Sequence, residues 1–178
     1  MIGLLVLFMA SPPTIRTALE SDCAAITACA NAAYIRYIDR IGKPPAPMVA
    51  DYASQIAQNK VQVLERRQQL IGFVVSFPVS LAPAANIYFL ENIAVDPAQQ
   101  GTGMGRLLVD RVIARAMQFN CSCIELYTNE LMVENIAWYG KLGFEEVERR
   151  HEDGFNRCLL YTSPSPRDLS TSRMPSSA

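Results

Sequence analysis

A strand, a glycine-rich loop and an amphipathic helix follow one another in the middle of the chain, and this order limits the folds that the chain can adopt. Residues 86–95 have strand character, and residues 96–105 form a loop that contains proline and glycine. Residues 106–120 place their apolar side chains on one helical face. Residues 124–128 are predicted as a further strand, so the helix would be a right-handed crossover between two parallel neighbours. We therefore expect one parallel strand pair in the sheet.

The remaining periodicities predict a mixed sheet with helices packed on its faces. Further strands are predicted over residues 14–18, 61–65, 70–79 and 144–151. Further helices are predicted from Ser21 or Asp22 to Ile41, before Gly42 and a proline-rich loop, and over 48–58 and 134–142. The short spacing of the three strands between residues 61 and 95 favours an antiparallel meander. The order indicates an α/β (α+β) fold class with a mixed, mostly antiparallel central sheet and helices on both faces.

Length and charge exclude several classes of protein. The 178 residues carry 16 Lys plus Arg against 17 Asp plus Glu, which gives a formal net charge of -1. A chain of this length and composition fits one globular domain. Without a basic field, neither nucleic acid nor a membrane surface is expected as a partner. Any anionic ligand must be held by local groups.

Both ends of the chain differ in character from the middle. Six Ser and three Pro lie among residues 163–178, which cannot bury an apolar face. Residues 158–178 also resemble a translated sequencing-library adapter, so we predict a non-native, disordered tail and a sheet that lacks its last strand. Residues 1–8 are predicted to be an upstream extension, with a short membrane-seeking leader as the alternative. One domain is thus expected over residues 9–157, truncated at its C-terminal end.

Four cysteines lie within that expected domain. Cys23, Cys29, Cys121 and Cys123 show neither a CxxC pair nor a His partner at the spacing of metal ligands. They are predicted to be reduced, mostly buried thiols in a cytoplasmic protein. No metal is expected.

The glycine-rich loop has a composition that suits an anionic ligand. Residues 100–106 read Gln-Gly-Thr-Gly-Met-Gly-Arg and lie directly before a helix. Backbone N–H groups at a helix N-terminus can bind phosphate, and glycine lets the backbone approach closely. The loop lacks the GxxxxGK[ST] pattern, and Arg106 stands where the dinucleotide fingerprint needs its third glycine. The loop alone is equally consistent with an ordinary tight turn.

Two longer segments resemble the motifs of one enzyme family. Residues 92–108 contain a V-x-P element at Val95-Asp96-Pro97 and a Q-x-x-G-x-G element at Gln100, Gly103 and Gly105, and they are similar to the acetyl-CoA motif of the GCN5-related N-acetyltransferases (GNAT). Residues 135–144, with Asn135, Tyr139 and Gly143-Phe144, resemble the second motif of that family. The resemblance extends over about residues 14–157, and it implies acetyl-CoA as the acyl donor and a primary amine as the acceptor. It also implies that the parallel strand pair lies at the cofactor site, whose expected residues are Ile93, Ala94, Val95, Gln100, Gly101, Thr102, Gly103, Met104, Gly105, Arg106 and Asn135.

The resemblance also implies which residues perform the chemistry. Glu91 is the expected general base for the acceptor amine, and Tyr139 is the expected proton donor to the departing thiolate. Backbone N–H groups near Ile93 to Val95 would stabilise the oxyanion if the strand bulges or splays there. Glu91 is equally consistent with an exposed strand carboxylate, Tyr139 with a packing aromatic, and Asn135 with a residue at the start of a helix.

The sequence thus predicts an N-acetyltransferase that works by direct attack of the amine, without a covalent acyl-enzyme. The alternative is a catalytically inactive module that binds or senses acyl-CoA. The acceptor is either a small-molecule amine or a peptide or protein amine, and the sequence does not distinguish the two. Tyr34, Tyr37, Tyr52, Asp39 and Asp51 would line a site for a cationic amine, or else belong to core and surface. An unclosed sheet would leave a strand edge through which a homodimer could form.

Overall fold

The computed structural model describes residues 11–81, 85–152 and 154–164. In these ranges the strands are β1 (Thr14–Thr17), β2 (Val61–Arg66), β3 (Gln69–Leu81), β4 (Ala85–Val95), β5 (Cys123–Asn129), β6 (Glu145–Glu152) and β7 (Phe155–Thr162). The α-helices are α1 (Cys23–Tyr34), α2 (Ile38–Ile41), α3 (Tyr52–Ala57), α4 (Met104–Gln118) and α5 (Val133–Lys141). The predicted order of elements is therefore confirmed as far as the strand over 144–151.

All strands belong to one sheet with the order β1-β2-β3-β4-β5-β7-β6. Each neighbouring pair is antiparallel except β4 and β5, which run parallel and pair Ile87 to Leu90 with Cys123 to Leu126. Helix α4 forms the crossover between these two strands. The expected mixed, mostly antiparallel sheet with one parallel pair is confirmed.

The sheet separates two apolar cores, because successive side chains of a strand point to opposite faces. On one face, Val74 of β3 packs with the buried stripe of α4, which includes Leu108 and Val112. On the other face, Phe73 and Val75 of β3 pack with α1 and α3. Helices therefore cover both faces, as predicted.

The helices of the N-terminal half are short and end at identifiable residues. The apolar stripe of α1 continues through a 3₁₀ turn into α2. It stops at Gly42, whose φ of 81° lies in the left-handed region. Helix α3 is shorter than the predicted 48–58, and Asp51 begins it by accepting a hydrogen bond from the Ser54 N–H at 3.0 Å. Of the helices in the described ranges, none has the length and apolarity to cross a membrane.

Strand β4 contains an extra residue at Glu91. Val75 of β3 faces Asn92, but the next β3 residue, Ser76, faces Leu90. Glu91 is thus the bulged residue of β4, and a bulge bends the strand that carries it. The parallel pairing with β5 ends at the same level, at Leu90 opposite Leu126. A gap therefore opens between the C-terminal halves of β4 and β5.

The expectation of a disordered tail from Cys158 onward is wrong for residues 158–162. These residues form most of β7, which lies between β5 and β6 and closes the sheet. Cys158 and Leu160 are 0% and 1% exposed and belong to the core of α4 and α5. Alternation of buried and more exposed residues is a local strand signal that the Ser- and Pro-rich composition after residue 162 concealed. Residues 1–10 and 165–178, on which the rest of the terminal predictions fall, lie outside the described residues.

We expect Leu160→Ala to lower the free energy of unfolding by about 2–5 kcal/mol, because it removes buried methyl groups and leaves a cavity. Val147→Ala in the adjacent strand β6 is the matched control, since Val147 is 55% exposed and its loss should change stability by about 0.5 kcal/mol or less. Urea denaturation of the two variants measures the difference. Equal effects would contradict the placement of β7 in the core.

Candidate active site

Backbone groups of β4 face the gap between β4 and β5. The Asp96 N–H donates to the Ile71 carbonyl of β3 at 2.9 Å. Since backbone groups of an antiparallel strand alternate in direction, those of Ile93 and Val95 point away from β3. No β5 residue is paired with Ile93 or Val95 in the described register. Their N–H groups therefore point into the gap.

The carbonyls on the same side of β4 are bound by side chains. The Tyr34 hydroxyl lies 2.8 Å from the Ile93 carbonyl oxygen, and Gln100 Nε2 donates to the Val95 carbonyl at 3.0 Å. These two side chains supply the hydrogen-bond donors that a neighbouring strand would otherwise offer to the two carbonyls. The donors of Ile93 and Val95 are left facing a cavity, which suits a ligand that offers hydrogen-bond acceptors.

A groove of about 410 Å³ occupies this gap. Its walls come from β4, the glycine-rich loop and α5. Of the predicted cofactor residues, those that line it are Ile93, Ala94, Val95, Gln100, Gly101, Gly103, Gly105, Arg106 and Asn135. Arg36, Glu134, Trp138 and Tyr139 complete the lining.

The glycine-rich loop is shaped by two left-handed glycines. Gly101 has a φ of 76°, and Gly103, which precedes the first residue of α4, has a φ of 87°. Residues with side chains rarely adopt this backbone conformation, so glycine is favoured at both positions. The loop delivers the first turn of α4, with its unpaired N–H groups, to the groove.

Two predicted loop residues lie outside the groove lining. The Thr102 hydroxyl donates to the Gln99 carbonyl at 2.6 Å and stabilises the turn. The Met104 side chain is buried in the core beneath α4, so only its backbone remains as a candidate ligand group. The sequence motif did not separate residues that support the loop from residues that face a ligand.

Gly105 makes room for an aromatic wall of the groove. A Cβ atom at this position would lie 3.0 Å from Cζ2 of Trp138. The third glycine of the loop therefore permits close packing between α4 and α5. Arg106 lines the groove beside it, and its Nε donates to Asp110 Oδ1 at 2.7 Å, which places a carboxylate next to its charge.

Tyr139 reaches the groove from α5. It is 6% exposed, and its ring lies 5.0 Å from that of Trp138 and 5.5 Å from that of Phe144. Burial raises the pKa of its phenol well above the usual value of 10, so the hydroxyl stays protonated. Among the described residues, none forms a hydrogen bond with this hydroxyl. A packed ring thus presents a free proton donor.

A hydrogen-bonded chain holds Asn135 one helical turn before Tyr139. Arg36 Nη2 donates to the Tyr37 hydroxyl at 2.6 Å, and that hydroxyl donates to Asn135 Oδ1 at 3.1 Å. The Asn135 oxygen is therefore occupied, and its amide N–H₂ remains for a ligand in the groove, apart from a 3.6 Å contact with Met132 Sδ. Tyr37, which the sequence left between a site and a core role, is buried and positions a groove residue.

A second cavity, of about 320 Å³, adjoins the first. We call it the acceptor-side cavity; its lining includes Glu91, Asn92, Phe89, Tyr127, Phe155 and Arg157. Ile93, Asn135 and Tyr139 line both cavities. The two spaces therefore meet at the gap between β4 and β5.

Glu91 projects from the bulge into the acceptor-side cavity. Its Oε1 accepts a hydrogen bond from Gln55 Nε2 at 2.7 Å. Partial burial raises the pKa of this carboxyl above 4.5, against the opposing effects of Lys60 and of the Gln55 hydrogen bond. The carboxylate is thus less well solvated than a free glutamate and is correspondingly more basic.

Sequence reasoning missed a buried network behind the bulge. Asn92 Nδ2 donates to the Tyr52 hydroxyl at 2.6 Å, and Tyr52 donates to the Pro47 carbonyl at 2.6 Å. Asn92 Oδ1 lies 3.0 Å from the Tyr34 hydroxyl. This network ties β4 to α1, α3 and the proline-rich loop. A buried asparagine in an apolar strand was the available signal, because such a group needs partners.

The acidic candidates of the N-terminal half do not line either cavity. Asp51 caps α3, and Asp39 is exposed on α2. Tyr34 lines the acceptor-side cavity, whereas Tyr52 supports it from the core. Of the three carboxylates Asp39, Asp51 and Glu91, only Glu91 lines a cavity.

The sequence model of the acetyltransferase (GNAT) family matches residues 23–144, and the chain belongs to this family. The fold is similar to that of the ribosomal-protein-S18-alanine N-acetyltransferase from Escherichia coli, at 23% identity and a TM-score of 0.66, over 86% of this chain and 95% of that chain. It is also similar to the PaiA N-acetyltransferase from Thermoplasma acidophilum in complex with coenzyme A, at 14% identity and a TM-score of 0.71, over 85% and 99%. Arabidopsis thaliana Naa50 in complex with the bisubstrate analogue CoA-Ac-MVNAL matches at 16% identity and a TM-score of 0.65, over 85% and 98%. The family resemblance is therefore confirmed, and the protein is an acetyltransferase by family.

We expect Tyr37→Phe to weaken acetyl-CoA binding about two- to tenfold, since the variant releases Asn135 and a net hydrogen bond contributes about 0.5–1.5 kcal/mol. Isothermal titration calorimetry measures the change, and Tyr161→Phe on β7 is the control. In a double-mutant cycle with Asn135→Ala, the effect of Tyr37→Phe should largely disappear. Full additivity would contradict the role of Tyr37 as the residue that positions Asn135.

Proposed function

We propose that the protein is an acetyl-CoA-dependent N-acetyltransferase in which a primary amine attacks the acetyl thioester directly. The observation that carries this proposal is the meeting of the two cavities at Ile93, Asn135 and Tyr139. A donor in the groove and an amine in the acceptor-side cavity would place their reacting atoms in the same gap. Such an arrangement needs no covalent acyl-enzyme.

The groove has the features that a CoA ester requires. The first turn of α4 and the glycine-rich loop offer N–H groups for the phosphates, and the β4 N–H groups of Ile93 and Val95 suit the amide carbonyls of the pantetheine arm. The Asn135 amide is positioned for the same arm. Holding the phosphates by backbone groups is consistent with a net charge of -1.

Glu91 is the proposed general base. A lysine-like amine has a reference pKa of about 10.4, so it must lose a proton before its nitrogen can attack. The Glu91 carboxylate takes that proton, directly or through water, and its raised pKa makes it a stronger acceptor. The amine nitrogen then forms a bond with the thioester carbon.

The tetrahedral intermediate carries a negative oxygen, and the N–H groups near Ile93 to Val95 are the proposed donors to it. When the carbon–sulfur bond breaks, Tyr139 donates its phenolic proton to the thiolate. Its raised pKa keeps this proton in place throughout the neutral range. The products are the acetylated amine and free CoA.

Comparisons support transfer to nitrogen. The similar structures described above include proteins named as N-acetyltransferases, among them one from E. coli that is named for ribosomal protein S18 alanine. The alternative of an inactive acyl-CoA-binding module requires that the groove binds while Glu91 and Tyr139 perform no chemistry. Turnover measurements on variants of these two residues distinguish the two functions.

We expect Glu91→Gln to lower kcat about 10²- to 10⁴-fold, the usual range for loss of a general base. Tyr139→Phe should lower kcat by a smaller factor, because water can protonate a thiolate. Thiol release from acetyl-CoA with a panel of amines measures both, and calorimetry with acetyl-CoA shows that each variant still binds.

Two outcomes would contradict the proposal. Unchanged turnover in both variants would contradict the roles of Glu91 as the base and of Tyr139 as the proton donor. Binding of acetyl-CoA by the unsubstituted protein without turnover of any amine would favour the inactive module.

We expect Gln55→Leu to move the acid limb of the kcat–pH profile to higher pH by about half a unit to one unit. The Gln55 hydrogen bond favours the charged form of Glu91, so its loss raises the pKa of that carboxyl. Activity is present above this pKa and is lost as the pH falls through it. Gln58→Leu is the matched control, because Gln58 bonds Ser54 at the exposed end of the same helix. A limb that shifts equally in both variants, or in neither, would exclude Glu91 as the titrating base.

A further inference from the structure

Two consecutive residues of β4 are bound by one short helix, α3. Gln55 Nε2 donates to Glu91 Oε1 at 2.7 Å. The Tyr52 hydroxyl, one helical turn before Gln55, accepts a hydrogen bond from Asn92 Nδ2 at 2.6 Å. Neighbouring side chains of a regular strand point to opposite faces of the sheet, so a helix on one face would contact only one of them. The bulge at Glu91 therefore turns both side chains toward α3.

The Tyr52 hydroxyl joins the bulge to a second wall of the acceptor-side cavity. An amide N–H₂ only donates and a carbonyl only accepts, so the hydroxyl accepts from Asn92 and donates to the Pro47 carbonyl, at 2.6 Å each. Asn92 and Pro47 line the cavity, whereas Tyr52 does not. Tyr52 is 2% exposed, and burial raises the pKa of its phenol, so the proton stays on the hydroxyl. A buried side chain outside the cavity thus ties two of its walls together.

Asn92 is held at both ends of its amide. Its Oδ1 lies 3.0 Å from the Tyr34 hydroxyl of α1, and its Nδ2 donates to Tyr52 of α3. In the register of β4 against β3, Asn92 faces Val75 and directly follows the extra residue. A bulge is defined by the residues that pair on either side of it, so a fixed Asn92 makes the residue before it the extra one. The network therefore keeps the bulge at Glu91.

The ring and the hydroxyl of Tyr52 have separate contacts. The ring lies 5.2 Å from the Phe73 ring in an edge-to-face arrangement within the core of α1 and α3. The described hydrogen bonds of the hydroxyl are those with Asn92 and Pro47. Removal of the oxygen alone therefore breaks the tie and keeps the aromatic packing.

We propose that Tyr52 is a positioning residue for the reaction, and that its hydroxyl, acting through Asn92, holds the Glu91 carboxylate where it accepts the proton of the acceptor amine. The inference rests on the proposed function, because that function assigns the base to Glu91. Tyr52 contacts neither donor nor acceptor. It fixes the bulge from which Glu91 projects, and Gln55 of the same helix directs the carboxylate. A displacement of about 1 Å in such a group can lower a rate about 10²-fold.

We expect Tyr52→Phe to lower kcat about 10- to 100-fold, because the bulge no longer holds Glu91 in place. Thiol release from acetyl-CoA with the amine that gives the fastest turnover measures this change. The Kd of acetyl-CoA, from isothermal titration calorimetry, should change less than about twofold. The reason is that Tyr34 and Gln100, rather than Tyr52, bind the β4 carbonyls beside the groove.

The same substitution in a Glu91→Gln background separates positioning of the base from a general loss of structure. A residue that acts only through Glu91 has no further effect once the base is absent, so Glu91→Gln and the double variant should agree in kcat within about twofold. An equal fold-loss in both backgrounds would overturn the inference. An unchanged kcat in Tyr52→Phe alone would do the same.

Tyr88→Phe is the matched control. Tyr88 is a fully buried tyrosine of the same strand, and its hydroxyl accepts a hydrogen bond from Arg115 Nε at 2.8 Å, on the α4 face of the sheet. Its substitution removes a buried hydroxyl without touching the bulge, so kcat should stay within about twofold of the unsubstituted value. A loss of kcat as large as that in Tyr52→Phe would contradict the assignment to Tyr52.

A second variant covers the case in which Tyr52→Phe is unstable. Combining Tyr52→Phe with Asn92→Leu leaves no buried amide without a partner, and replacing both members of a buried pair by apolar groups costs little stability. The tie to the bulge is still absent, so kcat should remain low. Recovery of the unsubstituted kcat in this double variant would overturn the inference.

The outcomes distinguish this inference from the function on which it rests. Full turnover in Glu91→Gln, or no turnover of any amine by the unsubstituted protein, would overturn the proposed function. A low kcat in Glu91→Gln together with full turnover in Tyr52→Phe would overturn only the role of Tyr52.

Discussion

The end of strand pairing between β4 and β5 is the constraint on which the site depends. The extra residue at Glu91 bends β4 where its parallel ladder to β5 stops, at Leu90 and Leu126. A sheet interior normally satisfies its backbone groups by pairing, so an interruption leaves donors and acceptors that need other partners. Here Tyr34 and Gln100 bind the exposed carbonyls. The corresponding N–H groups of β4 remain directed into a cavity.

The same interruption links the two halves of the site. A closed sheet would separate the groove from the acceptor-side cavity, because each is built from different loops and helices. The gap lets Ile93, Asn135 and Tyr139 line both. In the proposed function, the reacting atoms meet in this gap between β4 and β5. β7 pairs with β5 from Ile124 to Asn129, which includes the part of β5 that has no partner in β4.

Local patterns in the sequence predicted the parts that depend on local physics. The stripe of α4, the stop at Gly42 and the loop through Gly101 and Gly103 each follow from periodicity or backbone freedom within a few residues. A bulge or splay was left conditional near Ile93 to Val95, whereas the extra residue is Glu91, because a bulge is defined by the register of β4 against β3. The link from Tyr37 to Asn135 spans 98 residues, so no pattern within a window could reveal it. Strand β7 was missed for a different reason, since composition outweighed the alternation at Cys158 and Leu160.

The distribution of cations explains how a nearly neutral chain can serve a polyanionic donor. Arg16, Arg40 and Arg106 each lie within 3.0 Å of a carboxylate, so their charges stabilise the scaffold. In the proposed function, phosphate is bound by backbone N–H groups at the start of α4, which carry the positive end of the helix dipole. Arg36 and Arg106 also line the groove, but Arg36 donates to the Tyr37 hydroxyl and Arg106 lies 2.7 Å from Asp110. On the proposed function, the hold on the donor therefore depends on the backbone shape that Gly101 and Gly103 give the loop rather than on a cluster of basic side chains.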